Sequence, residues 1–218
     1  VWARDQAGNT AKCLTNIWVY ENTNSCDPAI SVYIMTPDTQ TLSGANFHLL
    51  ATHCVLDTLE IQEVIYQDPP FSWAGWWQFG GFATSGYTVT ATASKNTDPL
   101  NGISTLDLVL IQKHLLGIEP FTSPYQFIAA DANQDGNITS FDILLLKQLL
   151  LGVTNELPQG RSWRILPFEY VFPNPENPLS PPIPEQMYFP NTVEPVPSNF
   201  VFMGVKIGDV NFSADPGQ

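Results

Sequence analysis

The stretch D-A-N-Q-D-G-N-I-T-S-F-D, Asp131 to Asp142, sets oxygen-bearing side chains at positions 1, 3, 5, 9 and 12 of a twelve-residue loop, with glycine at position 6. A hard divalent cation takes six to eight oxygens at roughly 2.3 to 2.6 Å, so a binding loop must turn sharply while alternate side chains aim inward. Asp131, Asn133 and Asp135 supply the alternating donors, and Gly136 permits the turn. Asn137 offers its main-chain carbonyl, Thr139 can hold a ligand water, and Asp142 closes the loop where a helix begins. The plainer reading is an Asp/Asn-rich turn that also caps a helix. Six positions in register favour the cation, and the oxygen-only donor set favours calcium.

Working outward, the chain repeats itself at an offset of 35 residues. Ile103 to Ile118 (ISTLDLVLIQKHLLGI) realigns on Ile138 to Val153 (ITSFDILLLKQLLLGV), with Asp107 on Asp142 and Gly117 on Gly152. Loop followed by helix, twice, makes Asn96 to Gly152 similar to a type I dockerin pair. The resemblance implies a small calcium-dependent module that mediates protein–protein attachment in secreted assemblies. It also implies contacts to a cohesin-like partner at loop positions 10 and 11, here Thr105, Leu106, Ser140 and Phe141.

The first copy departs from that pattern. Its register gives Asn96, Asp98, Ser104 and Asp107 at positions 1, 3, 9 and 12, but Leu100 at position 5 and glycine one place late, at Gly102. A leucine side chain cannot bind calcium. Lys206 to Asn211 (KIGDVN) reads like the opening of another such loop, so Asp209 and Asn211 could complete the first site if the tail folds back. Two alternatives stay open: a surface turn in the tail, and a first loop without metal.

Composition bears on the setting. With 21 acidic and 8 basic residues the net charge is -13, which argues against nucleic acid and anionic membranes as partners. Only 13% of residues are charged while aromatics reach 12%, the balance of a β-rich secreted module. No apolar run approaches the ~20 residues of a membrane helix, and the first residues do not read as a signal peptide. An extracellular or cell-surface location is expected. Of the cysteines Cys13, Cys26 and Cys54, the preferred disulfide joins Cys26 to Cys54. Cys13 is then free, or its partner lies in another subunit or an upstream region.

Strand signals dominate the first half. Residues 1–26 read as a hairpin around Asp5 to Asn9. The pattern A-R-D-x-A-G-N-x-A-x-C resembles the last hairpin of a HYR-type immunoglobulin-like domain. Two strands are marginal in water, so this segment is a candidate donor strand for its own chain or a neighbour. Within residues 27–95, ISVYIM, NFHLLATHCVL, LEIQEVIY and GYTVTATA alternate with turn-forming breakers and predict a β-sandwich. Their order resembles a transthyretin-like or carboxypeptidase-regulatory domain. Trp73, Trp76 and Trp77, near Phe71 and Phe79, read as core or interface, with a carbohydrate-stacking surface as the alternative. After the loop–helix module at 96–155, the 11 prolines between Pro158 and Pro197 predict an extended strap over 156–218 that carries the tail back to the first loop. The fold class is mainly β with a small α part.

No catalytic motif is present. His53 beside Cys54 would point to the opposite face of a strand, and His114 aligns with Leu149, which reads as a packed or rim position. Two function classes compete. One is a calcium-stabilised protomer that self-associates into an extracellular fibre or array; the other is an attachment module that docks on a cohesin-like receptor. The combination of segments resembles large surface proteins of Bacteroidetes-type bacteria.

Overall fold

Ala45–His53 shows why this chain builds sheets. Ala45, Phe47, Leu49 and Ala51 are fully buried, whereas Asn46 and Thr52 are exposed, which is the two-residue period of a strand with one face on a core. The computed structural model describes residues 2–4, 10–12, 29–53, 58–65, 77–78, 87–174, 177–190 and 199–218. Within them the strands are β1 (Trp2–Arg4), β2 (Thr10–Lys12), β3 (Ala29–Met35), β4 (Ala45–His53), β5 (Thr58–Ile65), β6 (Trp77–Gln78), β7 (Tyr87–Ser94), β8 (Trp163–Pro167), β9 (Gln186–Phe189) and β10 (Asn199–Lys206). The helices are α1 (Thr105–Leu115), α2 (Pro124–Ala130) and α3 (Ser140–Leu150).

Two four-stranded sheets, β6-β3-β10-β8 and β5-β4-β7-β9, contribute to one buried cluster. Val32, Ile34, Trp163, Ile165, Phe200 and Phe202 come from the first sheet, and Phe47, Leu49, Val89 and Ala91 from the second. β10 is buried on both faces. Phe200 and Phe202 point into the inter-sheet cluster, while Met203 and Val205 join a second cluster with Ile111, Ile128, Leu146 and Leu149 of the helices. The helices therefore cover the outer side of the β10 sheet, and the molecule has three layers. Gly204 lies between them because a Cβ there would sit 2.7 Å from Leu42 Cδ2. β1 and β2 pair with each other as a separate two-stranded sheet.

The segment expected as an extended strap over 156–218 contains three strands. The segment supplies β8, β9 and β10, and β10 runs parallel to β3 and antiparallel to β8. The physical reason is that Trp163–Pro167 and Asn199–Lys206 are largely buried runs that pair in the sheet, while most of the prolines stand in the connections between strands. α2 is a further element that the connector between the repeats did not suggest. Its signal is S-P-Y-Q: Ser123 caps, Pro124 opens the helix, and the Gln126 side chain accepts the Ser123 N–H.

Cys13, Cys26, Cys54, the turn Asp5 to Asn9, and Phe71, Trp73, Trp76 and Phe79 lie outside the described residues, so the disulfide and the aromatic surface do too. No helix among the described residues is long and apolar enough to cross a membrane.

Candidate metal centre

Asp131 ends α2 and is almost fully buried, at 1% exposure. Its Oδ1 accepts the Asp135 N–H at 3.1 Å and its Oδ2 the Gly136 N–H at 3.0 Å, which folds the loop around one carboxylate. Asn133 Oδ1 accepts the Asp135 N–H, and Asp135 Oδ1 accepts the Asn137 N–H. Gln134 and Gly136 both take positive φ, 59° and 84°, which is why glycine stands at the turn. Across the loop, Asp142 is fully buried. One of its oxygens accepts the Ala132 N–H at 2.9 Å, and the other accepts the Thr139 N–H and closes the capping box of α3.

The same arrangement recurs with its two halves taken from distant parts of the chain. Asp209, just after β10, accepts the Ser213 N–H on Oδ1 at 3.1 Å and the Ala214 N–H on Oδ2 at 2.7 Å, as Asp131 does with Asp135 and Gly136. Phe212 has φ 59°, as Gln134 does. Asp107 accepts the Ser104 N–H on Oδ2 and the Val210 N–H on Oδ1 at 3.0 Å, as Asp142 does with Thr139 and Ala132. The halves meet where Ser213 Oγ donates to the Gly102 carbonyl at 3.1 Å and Ala214 lies against Gly102. Of the residues proposed for the first loop, Gly102, Ser104, Asp107, Asp209 and Asn211 are thus brought together. No hydrogen bond joins Asn96 or Asp98 to that group among the described residues. Asn96 Nδ2 donates to the Gly160 carbonyl, and the Asp98 carbonyl accepts from Lys206 Nζ at 3.0 Å. Upstream of Gly102 the hydrogen-bonding counterparts of Asp131, Asp135 and Gly136 are Asp209, Ser213 and Ala214. Ser213, Val210 and Ala214 went unread, although D-V-N-F-S-A carries donors at positions 1, 3 and 5 just as D-A-N-Q-D-G does.

The first carboxylate of each arrangement is buried against a second one. Burial pushes the Asp131 carboxyl above its ordinary range, with Asp142 adding to the rise and the Gly136 N–H opposing it. Burial also pushes Asp209 up, opposed by the Ser213 and Ala214 N–H groups, with Asp107 adding to the rise. A bound divalent cation reverses that balance by favouring the ionised carboxylates. No cluster of three or more His, Cys, Asp or Glu forms a metal site by itself among the described residues. The donor set is mixed instead, with amide, hydroxyl and main-chain oxygens, which suits a hard cation such as calcium rather than zinc. Asn211 Oδ1 is buried and has no hydrogen-bond partner, an acceptor with its lone pairs unused at the third position of the loop. The residues fit the ion.

Residues 101–151 match the family model of the dockerin type I domain. The match begins beside Gly102, so the opening half of the first loop lies outside it. Dockerin type I domains bind calcium and attach to cohesins, and the module is not catalytic. No curated protein and no solved structure matches the chain.

The dockerin-like segment leaves large apolar side chains of α1 and α3 exposed. Residues related by the repeat have nearly equal exposure: Leu106 52% and Phe141 51%, Val109 46% and Leu144 47%, Leu116 64% and Leu151 68%. Thr105 and Ser140 are exposed beside them. His114 stacks on Phe121 at 4.1 Å and its Nδ1 accepts the Phe121 N–H, which makes it a packing residue of this segment.

Proposed function

We propose that this protein is a calcium-stabilised, non-enzymatic attachment module that acts outside the cell or on its surface and docks a cohesin-like partner through the exposed faces of α1 and α3. The near-equal exposure of Leu106 and Phe141, Val109 and Leu144, and Leu116 and Leu151 carries the reading. Large apolar side chains exposed at matching positions of two helices mark a binding surface. The loop Asp131 to Asp142, with Asp131, Asn133, Asp135, Asn137, Thr139 and Asp142 as donors, holds calcium beside α3 and fixes that helix relative to α1. Ser140 and Phe141, and by the repeat Thr105 and Leu106, stand at the loop end of the face. The two-sheet part, which resembles transthyretin-like modules, serves as the platform.

Calorimetric titration of the calcium-loaded chain against a panel of cohesin domains tests this. Saturable binding that disappears in chelator, and in the Leu106→Asp/Phe141→Asp variant, supports it. Binding to none of the panel by a folded, calcium-loaded chain overturns it.

The second reading is the self-associating protomer of a fibre. It is favoured by the β1–β2 pair, which stands as a separate sheet of two short strands and so depends on other surface for stability. Calcium-dependent filaments in negative-stain microscopy would replace the first reading with this one.

A further inference from the structure

We propose that Asp209, Asn211 and Ser213 of the C-terminal segment, with the Gly102 carbonyl and Asp107 of the repeat, form a bipartite site for a divalent cation of the calcium type. Its occupation clamps the end of β10 onto α1. The proposal rests on the calcium reading of the dockerin segment and is independent of the docking face.

Three observations carry it. The first is chemical. Asp209 Oδ1, Ser213 Oγ and the Gly102 carbonyl are joined by hydrogen bonds, and Asp107 is tied to Val210 between Asp209 and Asn211. These carboxylates, hydroxyl and carbonyl, with the Asn211 amide oxygen and water, supply the six to eight hard oxygens that calcium takes. The second is burial. Asp107 and Asp209 are 0% and 1% exposed, and Asp107 accepts the N–H of Val210, the residue after Asp209. Lys206 is the nearby cation, but its Nζ donates to the Asp98, Pro99 and Ser162 carbonyls, so one ammonium faces two buried carboxylates and leaves charge for a divalent cation to balance. The third is Asn211, whose Oδ1 is buried without a partner; its counterpart in the contiguous loop, Asn133 Oδ1, accepts the Asp135 N–H at 3.0 Å. That acceptor is left for a ligand.

The arrangement goes beyond a repeated dockerin loop. Its halves are separated by 103 residues, and one of them follows directly from β10, which lies between β3 and β8. Asn101 and Asp215 exchange hydrogen bonds at 2.7 and 2.9 Å, and Lys95 Nζ donates to the Pro216 carbonyl, so the segment is already positioned when the ion arrives. Binding then links the helices to the sheets. A cation that binds only the folded chain stabilises it in proportion to its occupancy. Serine replaces aspartate at position 5, leaving two carboxylates where the contiguous loop has three, so the bipartite site is the weaker one.

Calcium titrations on the full chain by isothermal calorimetry, with hydrogen exchange of the Val205 to Ala214 amides, test the proposal. The natural sequence is expected to bind two equivalents, the second at least about tenfold more weakly. Asp135→Ala should keep only the weak equivalent, and Asp209→Asn only the strong one. Calcium should slow exchange at Val205 to Ala214 in Asp135→Ala but not in Asp209→Asn. If Asp209→Asn does not fold, Ser213→Ala in the Asp135→Ala background replaces it, with loss or at least about tenfold weakening of the remaining equivalent expected. One equivalent in the natural chain, abolished by Asp135→Ala, overturns the bipartite site and leaves the calcium reading intact. No binding at all overturns both.

Discussion

The Val210 N–H donates to Asp107 Oδ1 at 3.0 Å, across 103 residues of chain. Asp107 is at once the N3 acid of the α1 capping box and the acceptor that holds the tail. Its counterpart Asp142 caps α3 and accepts the Ala132 N–H only 10 residues away. One carboxylate thus has the same two tasks in both copies, with a short connection in one and a long one in the other.

Asp107→Ala should accordingly destabilise the metal-free chain. Loss of the capping box costs about 1 kcal/mol, and the buried Val210 N–H left unpaired adds about 1 to 3 kcal/mol. Urea unfolding in excess chelator measures the sum without any contribution from metal. A loss below about 1 kcal/mol would mean that the tail does not depend on this bond.

Gly208 separates the effects of space and backbone. Its φ is +91°, and a Cβ there would lie 2.6 Å from Leu146 Cδ2 and 2.7 Å from Ile103 Cδ1. Gly208→Ala combines overpacking of about 1 to 3 kcal/mol with a left-handed backbone cost of about 1 to 2 kcal/mol. Gly117 has φ +67° with nothing within 4 Å, so Gly117→Ala carries only the second cost. Thermal melts of the two variants should rank Gly208→Ala clearly below Gly117→Ala; equal losses would contradict the packing seen around Gly208.

The contiguous loop was legible because its donors lie in one stretch, and a cation's spacing rule acts on neighbouring residues. Helices α1 and α3 were legible for a similar reason, since capping acids and apolar positions repeat at fixed offsets. The bipartite loop was half-legible. Asp209 and Asn211 stood out by their spacing, but the partner of Asp107 was first sought at Asn96 and Asp98, because a sequence repeat is read outward without a break. Only the parallel pairing of β10 with β3 brings the tail to Gly102, and long-range strand pairing leaves no local mark. The prolines near β8 and β9 hid those strands in the same way, since they signal connections more loudly than four or five residues signal a strand.

His114 predicts a pH dependence whose sign follows from its surroundings. Burial pushes its pKa below the ordinary 6.5, and its Nδ1 is occupied as the acceptor of the Phe121 N–H. As pH falls through 6.5 the unfolded chain takes up a proton that the folded chain resists, so His114 contributes stability above that pH and loses it below. Denaturant midpoints between pH 7 and pH 5 should fall less in His114→Asn, which keeps an acceptor but cannot titrate, than in the natural sequence. Parallel pH profiles would remove His114 as a source of the slope.

The face of α1 and α3 allows binding to be separated from folding. Leu106 and Phe141 are each about half exposed, so replacing both with aspartate removes little packing, and surface changes of this kind stay near ±0.5 kcal/mol. Neither side chain belongs to the loop donors, so calcium stoichiometry should be unchanged in Leu106→Asp/Phe141→Asp. A docking partner, in contrast, would have to desolvate two carboxylates where it had met apolar surface, and central interface residues of this type are commonly worth at least about 2 kcal/mol each. Affinity for a cohesin-like partner should therefore drop by more than about thirtyfold while the melting temperature and calcium titration remain those of the natural chain. If binding survives the double substitution, the partner uses another surface. If calcium binding is lost with it, the face and the loops act as one unit.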